Sequence, residues 1–268
     1  GVLDAIDALV TKSLLVPRTV RGETWFAMLD TIRAFAGDRL FEGVDRPGAR
    51  LRHLEWYANL ANVAGIVRFG AECDRWLREL GPLADDLVAA IEAAESRDEL
   101  AAAGSVCSGL WWAINNTSGR RAWRLVGQLS ARISAAGGLT TPPALLWFWC
   151  FLSNQVGRSD DILALADQVL GDIRAQGDDR LVSWTLQEVG YAEGLAGRFD
   201  SAAQRVDEAI AIKRRIGDDA DTSVAINFRG TLAEMLGDLG SAASFYQAAL
   251  DILPDSERHS SLALWPRF

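Results

Sequence analysis

The sequence repeats one turn three times, as Gly157-Arg-Ser-Asp160, Gly197-Arg-Phe-Asp200 and Gly237-Asp-Leu-Gly240, with 40 residues from one leading glycine to the next. A second marker keeps the same step, since Gly177-Asp-Asp179 returns as Gly217-Asp-Asp219. Self-similarity at a period of about 20–50 residues is typical of stacked helical hairpins, because each hairpin buries its apolar face against its neighbours. Such arrays rarely catalyse; they present an extended surface to a partner or ligand.

Helical hairpins are predicted between these turns. The apolar spacing indicates three pairs of helices, over 143–156 with 160–175, 181–195 with 201–216, and 221–236 with 241–253. Earlier helices are predicted over 47–70, 72–80, 82–95, 98–116 and 121–136. Asp98 is the expected N-cap of the fourth of these. Residues 47–141 are therefore assigned to a helical linker or divergent helical repeats, and residues 142–268 to the repeats themselves.

Residues 1–46 predict a small domain of another kind. An amphipathic helix is expected over Leu3–Val10, followed by two β-prone runs, Ser13–Val16 and Thr24–Met28. The polar turn between the two runs is expected to contain Arg18, Arg21 and Gly22. Asp30 then caps a helix that continues to Leu40. Helix, hairpin and helix in this order are the pattern of the end of a winged-helix domain.

The composition excludes several classes of protein. The net charge of −9 argues against nucleic acid as the main partner, because phosphate binding needs clustered Lys and Arg. No run of 18 uncharged apolar residues is present, so no membrane span is predicted. The three cysteines, Cys73, Cys107 and Cys150, are far apart and are expected to be buried thiols in a reducing cytoplasm. Lysine occurs only twice, and the run Lys213-Arg-Arg215 is expected to be a solvated helix end.

No arrangement of residues predicts catalysis or metal binding. His53 and His259 are the only histidines and lie about 200 residues apart, and the cysteines lack the short spacing of zinc ligands. The paired carboxylates at 178–179 and 218–219 recur at hairpin junctions, where Asp caps helices. We therefore expect a protein that is not an enzyme, with no metal and no cofactor in this chain.

The last hairpin resembles a tetratricopeptide repeat. That family places small residues where two helices touch, an aromatic residue in the second helix, and Pro where the helix stops. These positions are occupied here by Gly230, Ala242, Tyr246, Ala249 and Pro254. The preceding hairpin matches at Gly190 and Ala202 but has Val206 in place of the aromatic residue, and the first has Cys150 and Ile162 at small-residue positions. The resemblance implies an all-α superhelix of helical hairpins.

In tetratricopeptide arrays the first helix of each hairpin lines the concave face, which makes a set of residues on these helices candidates for a binding groove. Spacings of 3 or 4 place the members from one helix on one side of it. The set is Trp147, Phe151, Asn154, Trp184, Gln187, Tyr191, Asn227, Thr231 and Glu234. Aromatic and amide side chains together suit a peptide or a sugar-like ligand. The alternative is that the tryptophans fill the core.

Two N-terminal segments resemble the end of the ATPase module in bacterial STAND-class signal-transduction proteins, which include large LuxR-type transcriptional regulators of actinobacteria, and the segments after them resemble the helical region that follows in that family. The resemblance rests on a series of matching segments: Leu9–Leu15, Phe26–Leu40, Trp76–Leu80, Asp85–Ile91, Trp111–Trp112 and Gly119–Arg121. No Gly-Lys dipeptide is present, so no Walker A loop lies in this chain. The family would place the ATP site upstream of residue 1, and the start at Gly1 is expected for a fragment.

These observations predict a regulatory function. The chain is expected to be the sensor arm of a larger regulator, binding a protein or small ligand on the repeat array and contacting an ATPase module within the same protein. One alternative is a free-standing scaffold for protein–protein interaction. The other is DNA binding by the winged helix through basic residues near the hairpin, Lys12, Arg18, Arg21, Arg33 and Arg39.

Overall fold

A computed structural model describes residues 1–20, 23–42, 46–64, 83–111, 114, 119–136 and 141–253. The chain divides into two compact units, Gly1–Arg50 and Leu51–Phe268. Several predicted features lie outside the described residues: the helix at 72–80, the segment around Trp76, Cys73, His259, and the tail from Pro254 onward. The fold class is confirmed, since the described chain consists of helices and one small two-stranded sheet.

The first unit contains helix α1 (Val2–Thr11), strands β1 (Val16–Val20) and β2 (Glu23–Ala27), and helix α2 (Asp30–Glu42). The strands pair antiparallel, with Val16 opposite Ala27. The prediction of a strand over 13–16 with Arg18 in the turn was wrong. Ser13 instead has a positive φ of 57° and helps to end α1, where the Leu14 amide donates to the Leu9 carbonyl at 2.9 Å. The strand therefore begins at Val16 and includes Arg18.

Helix α3 (Arg46–Ala64) crosses the boundary between the units. The divergent part of the second unit then contains α4 (Ala84–Glu92), α5 (Arg97–Gly109) and α6 (Gly119–Ala135). The prediction that Asp98 caps α5 was wrong. Ser96 is the cap: its Oγ accepts the Glu99 amide at 3.3 Å, and the Glu99 carboxylate accepts the Ser96 amide at 2.9 Å. This reciprocal capping box fixes the helix start ahead of Asp98.

The hairpin array follows the predicted period. Its helices are α7 (Pro143–Gln155) with α8 (Ser159–Arg174), α9 (Asp179–Leu195) with α10 (Phe199–Ile216), and α11 (Asp219–Met235) with α12 (Leu239–Asp251). The turns at 157, 177, 197, 217 and 237 each place a glycine at φ between +73° and +79°. A side chain is disfavoured in this left-handed conformation, so one glycine recurs every 20 residues. Asp178 and Asp218 cap α9 and α11, as predicted.

Small residues bring the two helices of a hairpin together. A Cβ added at Gly230 would lie 2.5 Å from the Tyr246 ring, and one added at Gly190 would lie 2.9 Å from Val206. Ala202, Ala242 and Ala249 are buried at the facing positions. The close-packing interpretation of the repeat is therefore confirmed for the second and third hairpins. Within the described ranges, every helix is too short or too polar to cross a lipid bilayer.

Candidate partner-binding surface

The nine predicted groove residues lie on the first helices of the three hairpins, α7, α9 and α11. The 40-residue period makes Trp147, Gln187 and Asn227 equivalent positions, and it does the same for Phe151, Tyr191 and Thr231. The structure places these residues in four environments, namely an aromatic core, a hydrogen-bonded link between helices at Asn154, a pair of buried amides and an accessible edge. Whether the set binds a ligand stays a prediction.

Three of the four aromatic members, Trp147, Phe151 and Trp184, belong to the core. Trp147 and Trp184 are 0 % and 1 % exposed, and their ring centroids are 5.0 Å apart. Trp111 packs edge-on against Trp147 at 5.2 Å and against Phe151 at 5.4 Å. Buried aromatic pairs contribute packing energy beyond the area they remove from water. The core-filling alternative therefore describes where Trp147, Phe151 and Trp184 lie.

Trp184 also joins a buried charged cluster that the sequence analysis missed. Its indole Nε1–H donates to Asp221, whose Oδ2 lies 3.6 Å from the Lys213 ammonium. Lys213 is 1 % exposed, so the prediction that it forms a solvated helix end was wrong. The end of α10 packs against the start of α11, which removes this ammonium from water and gives it a carboxylate. One feature of the sequence sets this residue apart: Lys213 is one of only two lysines in an arginine-rich chain.

Asn154 is occupied by internal hydrogen bonds. Its amide nitrogen donates to the backbone carbonyl and to the carboxylate of Glu188, both at 3.0 Å. Its carbonyl oxygen accepts the Ser159 hydroxyl at 3.0 Å. Asn154 therefore links α7 to α9 by hydrogen bonds, and its side-chain amide atoms have their partners within the array.

Two amide side chains at equivalent positions are buried without full hydrogen bonding. Gln187 is 0 % exposed and neither its nitrogen nor its oxygen has a partner among the described residues. Asn227, one repeat later, is 6 % exposed and its Oδ1 lacks a partner in the same part of the chain. An unsatisfied buried polar group costs about 1–3 kcal/mol, so a bound water or a ligand is the usual explanation.

One helical turn beyond the two amides lies an accessible edge, which consists of Tyr191, Thr231 and Glu234. Tyr191 is half-buried and its ring packs against Phe228 at 5.2 Å. Thr231 donates to the Asn227 carbonyl at 3.3 Å, and the exposed Glu234 accepts the Tyr246 hydroxyl at 2.7 Å. Burial and this carboxylate raise the pKa of Tyr246. The accessible edge is the part of the predicted groove that an incoming partner can reach.

A second polar contact links α3 to α4. His53 Nε2 lies 3.2 Å from Asp86 Oδ2, which also accepts the hydroxyl of Tyr57 at 2.7 Å. Burial and the bond to Asp86 raise the pKa of Tyr57. Spacing alone does not show this contact, because the partners lie on helices separated by the segment from 65 to 82.

The described cysteines are structural. Cys107 and Cys150 are buried and form no disulfide. Burial raises the pKa of both thiols, which keeps them protonated and unreactive. Among the described residues, no group of three His, Cys, Asp or Glu side chains has the geometry to hold a metal ion.

Comparison with known proteins finds sequence similarity to part of two larger proteins. No model of a known protein family matches the chain. Rv0890c of Mycobacterium tuberculosis and Mb0914c of Mycobacterium bovis, whose names class them as HTH-type transcriptional regulators, are each 27% identical over 286 aligned positions. These cover 98% of this chain, which spans 31% of the length of each relative.

A solved structure supports the fold. The crystal structure of BtubC (BKLC) from P. vanneervenii superposes with a TM-score of 0.51 over 82% of this chain and 85% of that chain, at 16% identity. At this identity the likeness concerns architecture alone. The chain is thus a helical repeat protein of the tetratricopeptide-like class, similar in sequence to part of two mycobacterial regulators.

Proposed function

We propose that this chain is the non-catalytic sensor arm of a larger transcriptional regulator, of the STAND-type or LuxR-type class that its sequence resembles. The similarity to the mycobacterial regulators supports this proposal, because it extends over 98% of the chain and covers 31% of their length. A helical repeat array is suited to recognition, since its first helices present equivalent positions at regular intervals.

The observation that carries the proposal is the pair of buried amides beside the accessible edge. Gln187 and Asn227 recur at one repeat position, and both amide atoms of Gln187 and the Oδ1 of Asn227 lack hydrogen-bond partners among the described residues. A polypeptide supplies backbone N–H and C=O groups, which pair with amide side chains without regard to sequence. Because both amide side chains are buried, a protein partner satisfies these atoms only where its binding moves Tyr191 and Thr231 aside, and it then pairs atoms that otherwise cost stability.

The proposed mechanism is a population shift. A protein signal that prefers one arrangement of the array and the winged-helix unit changes how an ATPase module of the same protein is held. ATP belongs to that module; this chain takes no cofactor, and we propose that it works in the cytoplasm, away from membrane and nucleic acid. The signal acts only as far as its affinity differs between the two arrangements.

The proposal is tested by crosslinking in the full-length protein in its own cell. A photo-reactive benzoylphenylalanine replaces Tyr191, and the matched control carries it at the exposed Asp172 on α8. We expect one protein to crosslink at 191 and not at 172, and the variant Tyr191→Ala/Thr231→Ala/Glu234→Ala to lose the transcriptional response at unchanged protein level. A normal response in that variant, or ATP hydrolysis by the isolated chain, would overturn the proposal.

The reading frame around this chain distinguishes a regulator's sensor arm from a free-standing scaffold. A Walker A loop upstream supports the regulator, whereas a start codon directly before Gly1 supports a scaffold. In the second case the crosslinked partner would still be found, but substitution of the accessible edge would leave transcription unchanged.

One observation favours DNA binding as a second candidate function. Arg18 is exposed in the middle of β1, where a winged helix can face a phosphate backbone. Salt-dependent binding of the isolated chain to duplex DNA, reduced by Arg18→Ala and Arg21→Ala, would support that function. Binding that is undetectable at low salt would exclude it.

A further inference from the structure

We propose that the second unit carries a separate pocket for a small cationic molecule, where the divergent helices meet the array. A cavity of about 500 Å³ lies between α3, α5 and the start of α9. This volume is within the range of about 300–1,000 Å³ that small-molecule sites have. Its apolar walls include Ala61, Pro142 and Leu181, and its polar lining includes Ser105, Ser108 and Asp178. The proposal is independent of the partner-binding surface.

The two serines of the lining accept hydrogen bonds more readily than they donate them. The Ser105 hydroxyl donates to the Ala101 carbonyl at 3.2 Å, and the Ser108 hydroxyl donates to the Gly104 carbonyl at 2.8 Å. Both protons are therefore directed into α5, which leaves the two oxygens as acceptors. A ligand group rich in N–H donors fits this side of the cavity.

Asp178 adds a negative charge for which the described part of the chain supplies no counterion. Its Oδ1 caps α9 by accepting the amides of Arg180 and Leu181 at 3.0 and 3.1 Å. The residue is exposed to solvent, and its hydrogen bonds to the described residues are both made by Oδ1, which leaves Oδ2 accessible. The carboxylate thus keeps one oxygen for a ligand while the other holds the helix start.

The next repeat shows what this oxygen lacks. Asp218 is the equivalent residue of the third hairpin, and its Oδ1 caps α11 through the Asp221 amide at 3.0 Å. Its Oδ2 lies 3.5 Å from the guanidinium of Arg180, at the start of the preceding first helix. The position one repeat before Arg180 is Thr140, which carries no charge. Where Asp218 has an arginine, Asp178 borders a cavity, and the structure assigns that place to a cation from outside.

The surrounding charges are consistent with this assignment. Arg180 pairs with Asp218, and Arg215 pairs with Asp179 at 2.7 Å, so the neighbouring guanidinium groups are engaged elsewhere. The helix N-terminus contributes only about +0.5 of an elementary charge, less than the full charge of the carboxylate. An amidinium, guanidinium or primary ammonium joined to a small apolar body is the chemical class that matches the cavity.

Benzamidine and benzamide test the proposal as a matched pair, since they share shape and differ in charge. Binding to the whole chain is measured by ligand-observed NMR and calorimetry. We expect benzamidine to bind saturably, and Asp178→Asn to weaken it by about tenfold, because Asn keeps the N-cap and removes the charge. Asp218→Asn is the matched control; it makes the same change one repeat later and should leave the affinity unchanged.

A cavity-filling variant, Ser108→Leu, provides a second test, with its fold checked by circular dichroism. It should abolish benzamidine binding at unchanged helix content. Equal binding of benzamidine and benzamide, equal losses in Asp178→Asn and Asp218→Asn, or no saturable binding by the wild-type chain would each overturn the proposal.

Discussion

The first and third hairpins share a backbone design but fill their interiors in different ways. In the first, α7 packs Trp147, Phe148 and Phe151 into a continuous aromatic core with Trp111 and Trp184. In the third, Gly230 lets Tyr246 lie against the backbone of α11. The turns that join the two helices of each hairpin are alike, with Gly157 at φ +73° and Gly237 at φ +79°. The repeat therefore determines the backbone path, while the side chains at equivalent positions determine whether a hairpin has a packed aromatic interior or an accessible polar edge.

Removal of the aromatic anchor should have the largest effect. Trp147→Ala leaves a cavity in the first hairpin and should lower the free energy of unfolding by about 3–5 kcal/mol. Trp56→Ala is the matched control, because Trp56 is 54% exposed on α3 and should cost much less. Urea unfolding followed by circular dichroism measures both. Similar losses in the two variants would contradict the assignment of Trp147 to the core.

Disruption of the charged cluster between the second and third hairpins should lower the free energy of unfolding nearly as much as Trp147→Ala does. Asp221→Ala removes the carboxylate from Lys213 and from the Trp184 indole and should cost about 3–5 kcal/mol of unfolding free energy. The double variant Lys213→Met/Asp221→Leu should recover most of that loss, because it leaves no buried charge behind. Thermal unfolding of the wild type and both variants tests this, and a double variant less stable than Asp221→Ala alone would refute it.

Gly230→Ala should destabilise the third hairpin, because the Tyr246 ring packs closely against the backbone of α11 at this glycine. The new Cβ would meet the Tyr246 ring at 2.5 Å, and overpacking of this kind costs about 1–3 kcal/mol. In a Tyr246→Ala background the same change should become neutral or stabilising, since Ala is the better helix former by about 1 kcal/mol. A double-mutant cycle measures the difference. Additive losses would mean that the ring does not constrain Gly230.

Substitution of the turn glycine should destabilise the first and the third hairpin by the same amount. Gly157→Ala and Gly237→Ala each force a side chain into the left-handed region and should lose about 1–2 kcal/mol of unfolding free energy. Gly171→Ala is the control, because this helical glycine has open space around it and should be neutral or gain stability. Unequal losses at 157 and 237 would show that the turns differ more than their φ angles indicate.

The smallest effect concerns pH and the cap of α12. Hydrogen bonds from Ser241 lower the pKa of Asp238, so its stabilising effect is present at neutral pH. That effect should be lost as the pH falls below the ordinary value of 3.8 and through the lowered pKa, as the carboxylate is protonated. Asp238→Asn should remove this contribution to the acid sensitivity, because Asn caps at any pH. Identical pH profiles of the unfolding midpoint for the wild type and Asp238→Asn would contradict the prediction.

Most of the candidate surface could not be predicted from the sequence. Spacing placed Trp147, Gln187 and Asn227 on equivalent helix positions, but spacing says nothing about depth, and Trp147 lies in the core. The bonds of Asn154 to Glu188 and of Lys213 to Asp221 join different helices, so they depend on how the hairpins pack. The prediction of Asp98 as a cap failed because Ser96 and Glu99 cap each other, a pairing present in the sequence.

The sequence by itself determined the period, the turn glycines, the helix pairs after Pro143 and the small residues that face Tyr246 and Val206. These features are local, and each follows from the φ angle, the cap or the 3.6-residue spacing that a short segment requires. Only the tertiary structure decided which side chains are buried, which carboxylates find a cation, and where a cavity remains beside Asp178. Those outcomes depend on distances between segments far apart in the chain, and local preference does not encode them.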